Sequence, residues 1–145
     1  MADAGAIRAI LLDDWVASRM RHDDGMIEYT EHPEVTWLGA YEDQTLVGIF
    51  ILIRDCVDVD IHVAILKPWI RHARAFGRLC LQYVFTDPAI HRATAWILDL
   101  LPSVRNYALR MGFTLEGYRR NCVRVGGKLT GAYMLGMTRE EWQHG

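Results

Sequence analysis

The sequence predicts a single α/β (α+β) domain in which a mixed, mostly antiparallel sheet carries helices on both faces. Three observations predict it. Apolar residues recur at helical spacing near the start; residues 36–66 then alternate or run continuously apolar, as strands do; a strand–helix–strand pattern follows. The chain has 145 residues, enough for one domain with a buried core, and 51% of them are apolar, which argues against disorder. No repeat, linker or low-complexity segment divides residues 1–145.

Ile7, Ile10, Leu11, Trp15 and Val16 share one helical face from Ala6 to about Arg21, where "HDDG" ends the pattern. "MIEYTEHPE" is ambiguous, with a short strand as one reading, and turns at His32-Pro33. "TWLGAYEDQTLVGIFILIRD" is two strand-like runs around Glu42-Asp43-Gln44, a hairpin. Its second arm, Leu46 to Ile53, is almost wholly apolar, as for a strand covered on both faces. "CVDVDIHVAIL" alternates, with Val57, Val59, Ile61, Val63 and Ile65 on one face and Asp58, Asp60, His62 and Ala64 on the other. A helix is predicted from about Phe76 to Phe85, and "RATAWILDLL" reads as a buried strand. Pro102-Ser103 then opens a helix to Met111, with Ser103 as N-cap and Gly112 as its stop. Two antiparallel strands joined at Gly126-Gly127 follow, and Thr138 to Glu141 forms a closing capping box.

Composition removes several functions. A net charge of −2 and a pI of about 6.3 argue against a nucleic-acid binder that relies on bulk charge. No apolar run reaches the ~18 residues of a membrane span. "MADAGAIRAILLDDWV" has no basic head and carries Asp13 and Asp14, against a secretory signal. Cys56, Cys80 and Cys122 include no CxxC and suit a reducing compartment, so the expected location is cytoplasmic. His22, His32, His91 and His144 have no metal-ligand spacing, and no metal site is expected. Trp37, Trp69, Trp96 and Trp142 read as core or cleft-lining, with Trp69 beside Pro68 the best placed to touch a ligand.

Two stretches could carry chemistry. In "RHARAFG", Arg71 to Gly77, the small residues Ala73, Ala75 and Gly77 would let an anion approach helix-terminal amides, with Arg71, His72 and Arg74 adding charge. Taken alone it is either an anion site or a solvated basic turn. Asp60 and His62 stand two residues apart on one strand face, continued by Asp58. They are either a solvated polar face or, in a cleft, a general base.

Four stretches in this order resemble the GCN5-related N-acetyltransferase family, over residues of about 35 to 142. "LGAYEDQTLVGIFIL" is similar to its hairpin. "HARAFG" lies on its Q/R-x-x-G-x-G/A loop, with His72 at the Q/R position, Ala75 for the first glycine and Gly77 for the second. "NYALRMGFTLEGYRR" resembles its final helix and "GF-x-x-EG-x-x-R", here Gly112-Phe113, Glu116-Gly117 and Arg120. "GKLTGAYMLGMTREEW" is similar to the last hairpin of the ribosomal-protein-acetylating branch and of small phage-encoded relatives.

The resemblance implies a splayed central strand pair that holds acetyl-CoA. The pantetheine arm would meet the backbone around Ile65 and Leu66. The diphosphate would meet the amides from Ala73 through Ala75 and Phe76 to Gly77, and Arg71 or Arg74 the ribose phosphate. Ala75 in a φ > 0 conformation would cost roughly 1 kcal/mol. Where the family has an asparagine opening the last helix this chain has Leu101, with Ser103 or Asn106 nearby. His62 or Asp60 would deprotonate a primary amine of a protein or small molecule, and a backbone amide near Leu66 would polarise the thioester carbonyl. The family's tyrosine acid aligns with Ala108; Tyr107, one residue earlier, either takes that role through a slip or packs against the sheet. Transfer would be direct, without a cysteine nucleophile. The implied partners are acetyl-CoA, the acceptor amine and, as a further candidate, a second copy of the chain. A different reading keeps the fold as a binding or regulatory module, such as a phage-encoded modulator of a host protein.

Overall fold

The computed structural model describes residues 3–20, 22, 23, 25 and 27–145. The first helical stretch is two helices, α1 (Ala4–Leu12) and α2 (Asp14–Met20). The apolar period runs unbroken across them, but Asp13 takes an extended conformation (φ −58°, ψ 134°) and its carboxylate accepts from the Val16 N–H at 3.1 Å. An aspartate that caps the next helix interrupts the one that precedes it. Arg21, the expected end of a single helix, lies outside the described residues. So does Met26; residues 27–32 form no strand, and the expected turn closes with the Val35 N–H donating to His32 O at 3.0 Å.

Strands β1 (Val35–Glu42) and β2 (Thr45–Asp55) form the expected hairpin, and β3 (Asp58–Ile65) pairs with β2 antiparallel. A 3₁₀ turn (Lys67–His72) leads into α3 (Ala73–Thr86), then β4 (Arg92–Leu98) and α4 (Pro102–Met111). The chain continues as β5 (Thr114–Val125), β6 (Lys128–Thr138) and α5 (Arg139–His144). The sheet order is β1-β2-β3-β4-β6-β5, and only β3–β4 is parallel. Ile7, Ile10, Leu11 and Val16 pack with Trp37, Ile49, Ile51 and Ala64 on one face of the sheet. On the other, Cys80, Leu81, Val84 and Phe85 of α3 pack with Phe50, Leu52, Val59 and Ile65. The alternation read from β3 therefore divides two cores.

Three boundaries depart from the sequence reading. Helix α3 starts at Ala73 rather than Phe76, because Pro68 opens a 3₁₀ turn that runs straight into it. Strand β4 ends at Leu98 rather than Leu101, where the Asp99 carboxylate accepts from Thr130 Oγ1 (2.6 Å) and from the Tyr118 hydroxyl and holds a turn. Ser103 does not cap α4. Pro102, which has no N–H to satisfy, occupies the first turn, Leu101 is the cap residue, and the Ser103 hydroxyl accepts from Arg19 Nη2 at 2.9 Å.

The turn glycines Gly126 (φ 58°) and Gly127 (φ 77°) adopt the left-handed conformations of a tight hairpin. The Asp23 carboxylate accepts from both their N–H groups, at 2.9 and 2.8 Å, tying the segment after α2 to the β5–β6 tip. The capping box of α5 forms as expected. Behind it the Arg139 guanidinium donates to Phe85 O (3.1 Å), Asp87 O (2.6 Å) and Ile90 O (2.9 Å), gathering the C-terminal end of α3. Replacing Arg139 with alanine removes three charge-assisted bonds from a half-buried site. We expect a loss of roughly 2 kcal/mol in urea unfolding.

Candidate active site

The site begins where β3 and β4 stop pairing. Their ladder covers only Asp58↔Arg92, Val59↔Ala93 and Asp60↔Thr94. The Leu66 N–H donates to Val47 O at 2.9 Å, on the β2 side. In an antiparallel ladder alternate residues turn both backbone groups to the same neighbour. Ala64 and His62 thus face β2, whereas Ile61, Val63 and Ile65 turn their N–H and C=O groups toward β4, which has diverged. An open strand edge inside a sheet is rare, because unpaired buried backbone groups are costly. The Leu66 amide, expected as a carbonyl-polarising donor, is already bonded; the pairing of Asp60 with Thr94 uses the Ile61 N–H, so the open amides belong to Val63 and Ile65.

A cavity of about 1060 Å³ passes through this gap. On the α3/α4 side its wall includes Ile65, Arg71, Ala73, Arg74, Gly77 and Tyr107; on the α1/α2 side it includes Trp15, Arg19, His62 and Trp96. Ser103 lies between, bonded to Arg19. The sheet thus separates two chambers of one cavity, joined where its hydrogen bonding fails.

Helix α3 enters the cavity end-on. Its first amide, Ala73 N–H, donates to Ile70 O, and those of Arg74 and Ala75 follow at the positive end of the helix. Ala75 is helical, so the strain expected of a left-handed alanine does not arise. Phe76 is the first residue whose N–H is spent on the helix itself, and the missing side chain of Gly77 serves a neighbour. A Cβ there would meet the Tyr107 hydroxyl and the Met111 methyl. The Tyr107 hydroxyl donates to Ala73 O at 2.7 Å and so clamps α4 to the start of α3; burial pushes the phenol pKa up.

His62 is half-buried and its nitrogens have no hydrogen-bond partner among the described residues, yet none of them is sealed from the cavity. Burial lowers its pKa below the ordinary 6.5, leaving a neutral imidazole with a free lone pair at pH 7. Asp60 lies on the same face but outside the cavity wall; burial, then the charges of Asp58 and Asp55, raise its pKa, and Arg92 opposes them. Asp58 is engaged: it accepts from Thr94 Oγ1 (2.9 and 2.8 Å) and pairs with Arg92 (3.4 Å), which also holds Glu116 at 2.6 Å. Cys80 lines the cavity, but burial pushes its thiol up to about 12, so it offers no thiolate near neutrality.

Of the other residues singled out from sequence, Leu66, His72, Ala75, Phe76 and Asn106 stand outside the wall. His72 is held between aromatics, 6.0 Å from Trp69 and 6.3 Å from Phe76 by ring centroids. Asn106 is exposed on α4. Sequence reasoning missed Trp15 and Arg19 on α2, and Arg119, Cys122 and Val123 on β5. The i, i+4 spacing of Trp15 and Arg19 was the one available signal: Arg19 stacks 4.2 Å above the Trp15 ring. The residues of β5 gave none, because a register shift between Arg119 and Val123, with Asn121 at φ 51°, re-aims that edge. Among the described residues, no group of three or more His, Cys, Asp or Glu side chains could hold a metal ion. No helix among them is long and apolar enough to cross a membrane.

No known family's sequence model matches the chain. Solved structures align with it, and the six-stranded sheet with its central splay is the fold of the GCN5-related N-acetyltransferases. A point mutant of the spermidine N-acetyltransferase SpeG from Vibrio cholerae superposes with a TM-score of 0.81 at 15% identity, over 97% of this chain and 94% of that one. The Vibrio cholerae enzyme in complex with CoA and spermine gives 0.65 at 17% identity, over 70% of this chain and 63% of its own. A probable acetyltransferase gives 0.68 at 22% identity over 76% of this chain; only 65% of its own length is covered, so the chain spans less than two thirds of that protein. Likeness at such identities establishes the fold.

Proposed function

We propose that this chain is an acetyl-CoA-dependent N-acetyltransferase that delivers the acetyl group directly to a primary amine. The observation that carries the reading is the open edge of β3 inside a cavity that crosses the sheet. Val63 and Ile65 offer unpaired backbone donors and acceptors, and Ile61 its C=O, to an extended amide-bearing chain such as pantetheine. Arg71 and Arg74, beside the first turn of α3, suit its phosphates. That a similarly folded enzyme is found in complex with CoA and spermine supports a CoA thioester as the ligand here.

Bound there, acetyl-CoA would supply an activated thioester. This chain's residues supply the rest. His62, neutral and facing the opposite chamber, takes the proton from the incoming ammonium, directly or through a water. The nitrogen lone pair then attacks the acyl carbon, a C–N bond forms and the C–S bond breaks; the second proton shed by the acylated nitrogen passes to the leaving thiolate, giving the amide and the free thiol. The open amides of β3 lie where the carbonyl oxygen gains charge. Tyr107, bound to Ala73 O, acts as a strut between α3 and α4 rather than as the thiolate's acid. Cys80 stays protonated, in keeping with direct transfer.

Isothermal calorimetry with acetyl-CoA tests the binding step. Arg71→Ala with Arg74→Ala should weaken it about tenfold and flatten its salt dependence. No heat at millimolar acetyl-CoA would sink the reading; binding without thiol release toward any amine would leave a regulatory module.

A further inference from the structure

Resting on that reading, the geometry points to an acceptor that carries an oxyanion, a carboxylate or a phosphate, beside its amine on an apolar body. It disfavours a polyamine. The cavity wall holds five arginines, Arg19, Arg71, Arg74, Arg110 and Arg119, and among the described residues it holds no aspartate or glutamate. Arg71 and Arg74 stand at the start of α3, on the cofactor side.

Arg19 and Arg119 belong to the other chamber. On β6, Leu135 and Met137 pack toward α3 and α4, so Ala132 points the opposite way. Arg119 pairs with Ala132 and shares its face, the one that also bears His62 and Trp96. Arg19 enters from α2, fixed by its bond to Ser103 and its stack on Trp15. Among the described residues neither arginine has a carboxylate partner.

The nearby acids are occupied or set back. Asp23 is tied to the Gly126 and Gly127 amides, Asp58 and Glu116 to Arg92, and Asp60 lies outside the wall. Two or three ammonium groups of a polyamine would meet guanidinium groups and, among the described residues of the wall, no counter-charge. An oxyanion would meet planar, pre-positioned N–H donors, while Trp15, Met20 and Trp96 cover an apolar body and the amine points at His62.

The test is thiol release from acetyl-CoA with four acceptors: phenylalanine, its aminophosphonate counterpart, phenethylamine and spermidine. The oxyanion-bearing amines should exceed both others in kcat/KM by roughly tenfold or more, and their order tells carboxylate from phosphate recognition. In Arg19→Gln and in Arg119→Gln the ratio of phenylalanine to phenethylamine should fall toward one. Spermidine matching or exceeding the oxyanion-bearing amines would overturn the inference, as would a ratio that survives both substitutions. Acetyl-CoA binding without turnover of either oxyanion-bearing amine would overturn the acceptor class and leave the cofactor reading standing; absence of acetyl-CoA binding would remove both.

Discussion

Replacing His62 with alanine is expected to lower kcat by roughly 10²-fold or more, with acetyl-CoA affinity nearly unchanged. The residue faces the chamber opposite the proposed cofactor side, and its imidazole has no hydrogen-bond partner among the described residues to orient or occupy it. The pH dependence gives a second readout. Burial lowers the folded-state pKa below 6.5, so the neutral base persists further into acid than an exposed histidine would. The acidic limb of kcat/KM should therefore lie below pH 6.5 and vanish in His62→Ala. The same shift has a stability sign. The unfolded chain takes up a proton near pH 6.5 and the folded one resists it, so the contribution of His62 is present above that pH and is lost as pH falls toward the folded value. A normal rate in His62→Ala with a large loss in Asp60→Asn would move the base to Asp60.

Gly77→Val should lower stability by about 2–4 kcal/mol and weaken acetyl-CoA binding with it. Helix propensity alone points the other way, since glycine inside a helix is about 1 kcal/mol worse than alanine. What reverses the sign is the hydroxyl of Tyr107, which fills the space a Cβ would need while it donates to Ala73 O. The added isopropyl group would push α4 from the start of α3 and break that bond. Tyr107→Phe keeps the ring and removes the bond alone, at a cost of about 1 kcal/mol. A stable Gly77→Val with unaltered binding would show that the two helices need not be this close.

How much was legible follows from how local each signal is. The β1–β2 hairpin, the clean alternation of β3, the Gly126-Gly127 turn and the Thr138–Glu141 capping box depend on neighbours a few residues away, and each lies where the sequence put it. The first helix did not, because Asp13 competes with a period that shows no break. By sequence alone, "RHARAFG" reads as a loop with a missing glycine. It is instead the end of a 3₁₀ turn and the first turn of α3, and its remaining glycine answers to Tyr107 on a different helix.

The sequence by itself determined that His62 and Asp60 share a face, that basic residues precede a helix, and that an antiparallel front half runs into a strand–helix–strand unit. Periodicity and turn chemistry suffice for that. Only the tertiary structure decided that β4 leaves β3 after Thr94, that His62 reaches the cavity while Asp60 does not, and that Arg19 and Arg119 line one cavity whose wall is free of carboxylates among the described residues. Those facts depend on where strand pairing stops and which distant side chains share a space. Packing between elements far apart in the chain sets both, and it leaves no period in the sequence.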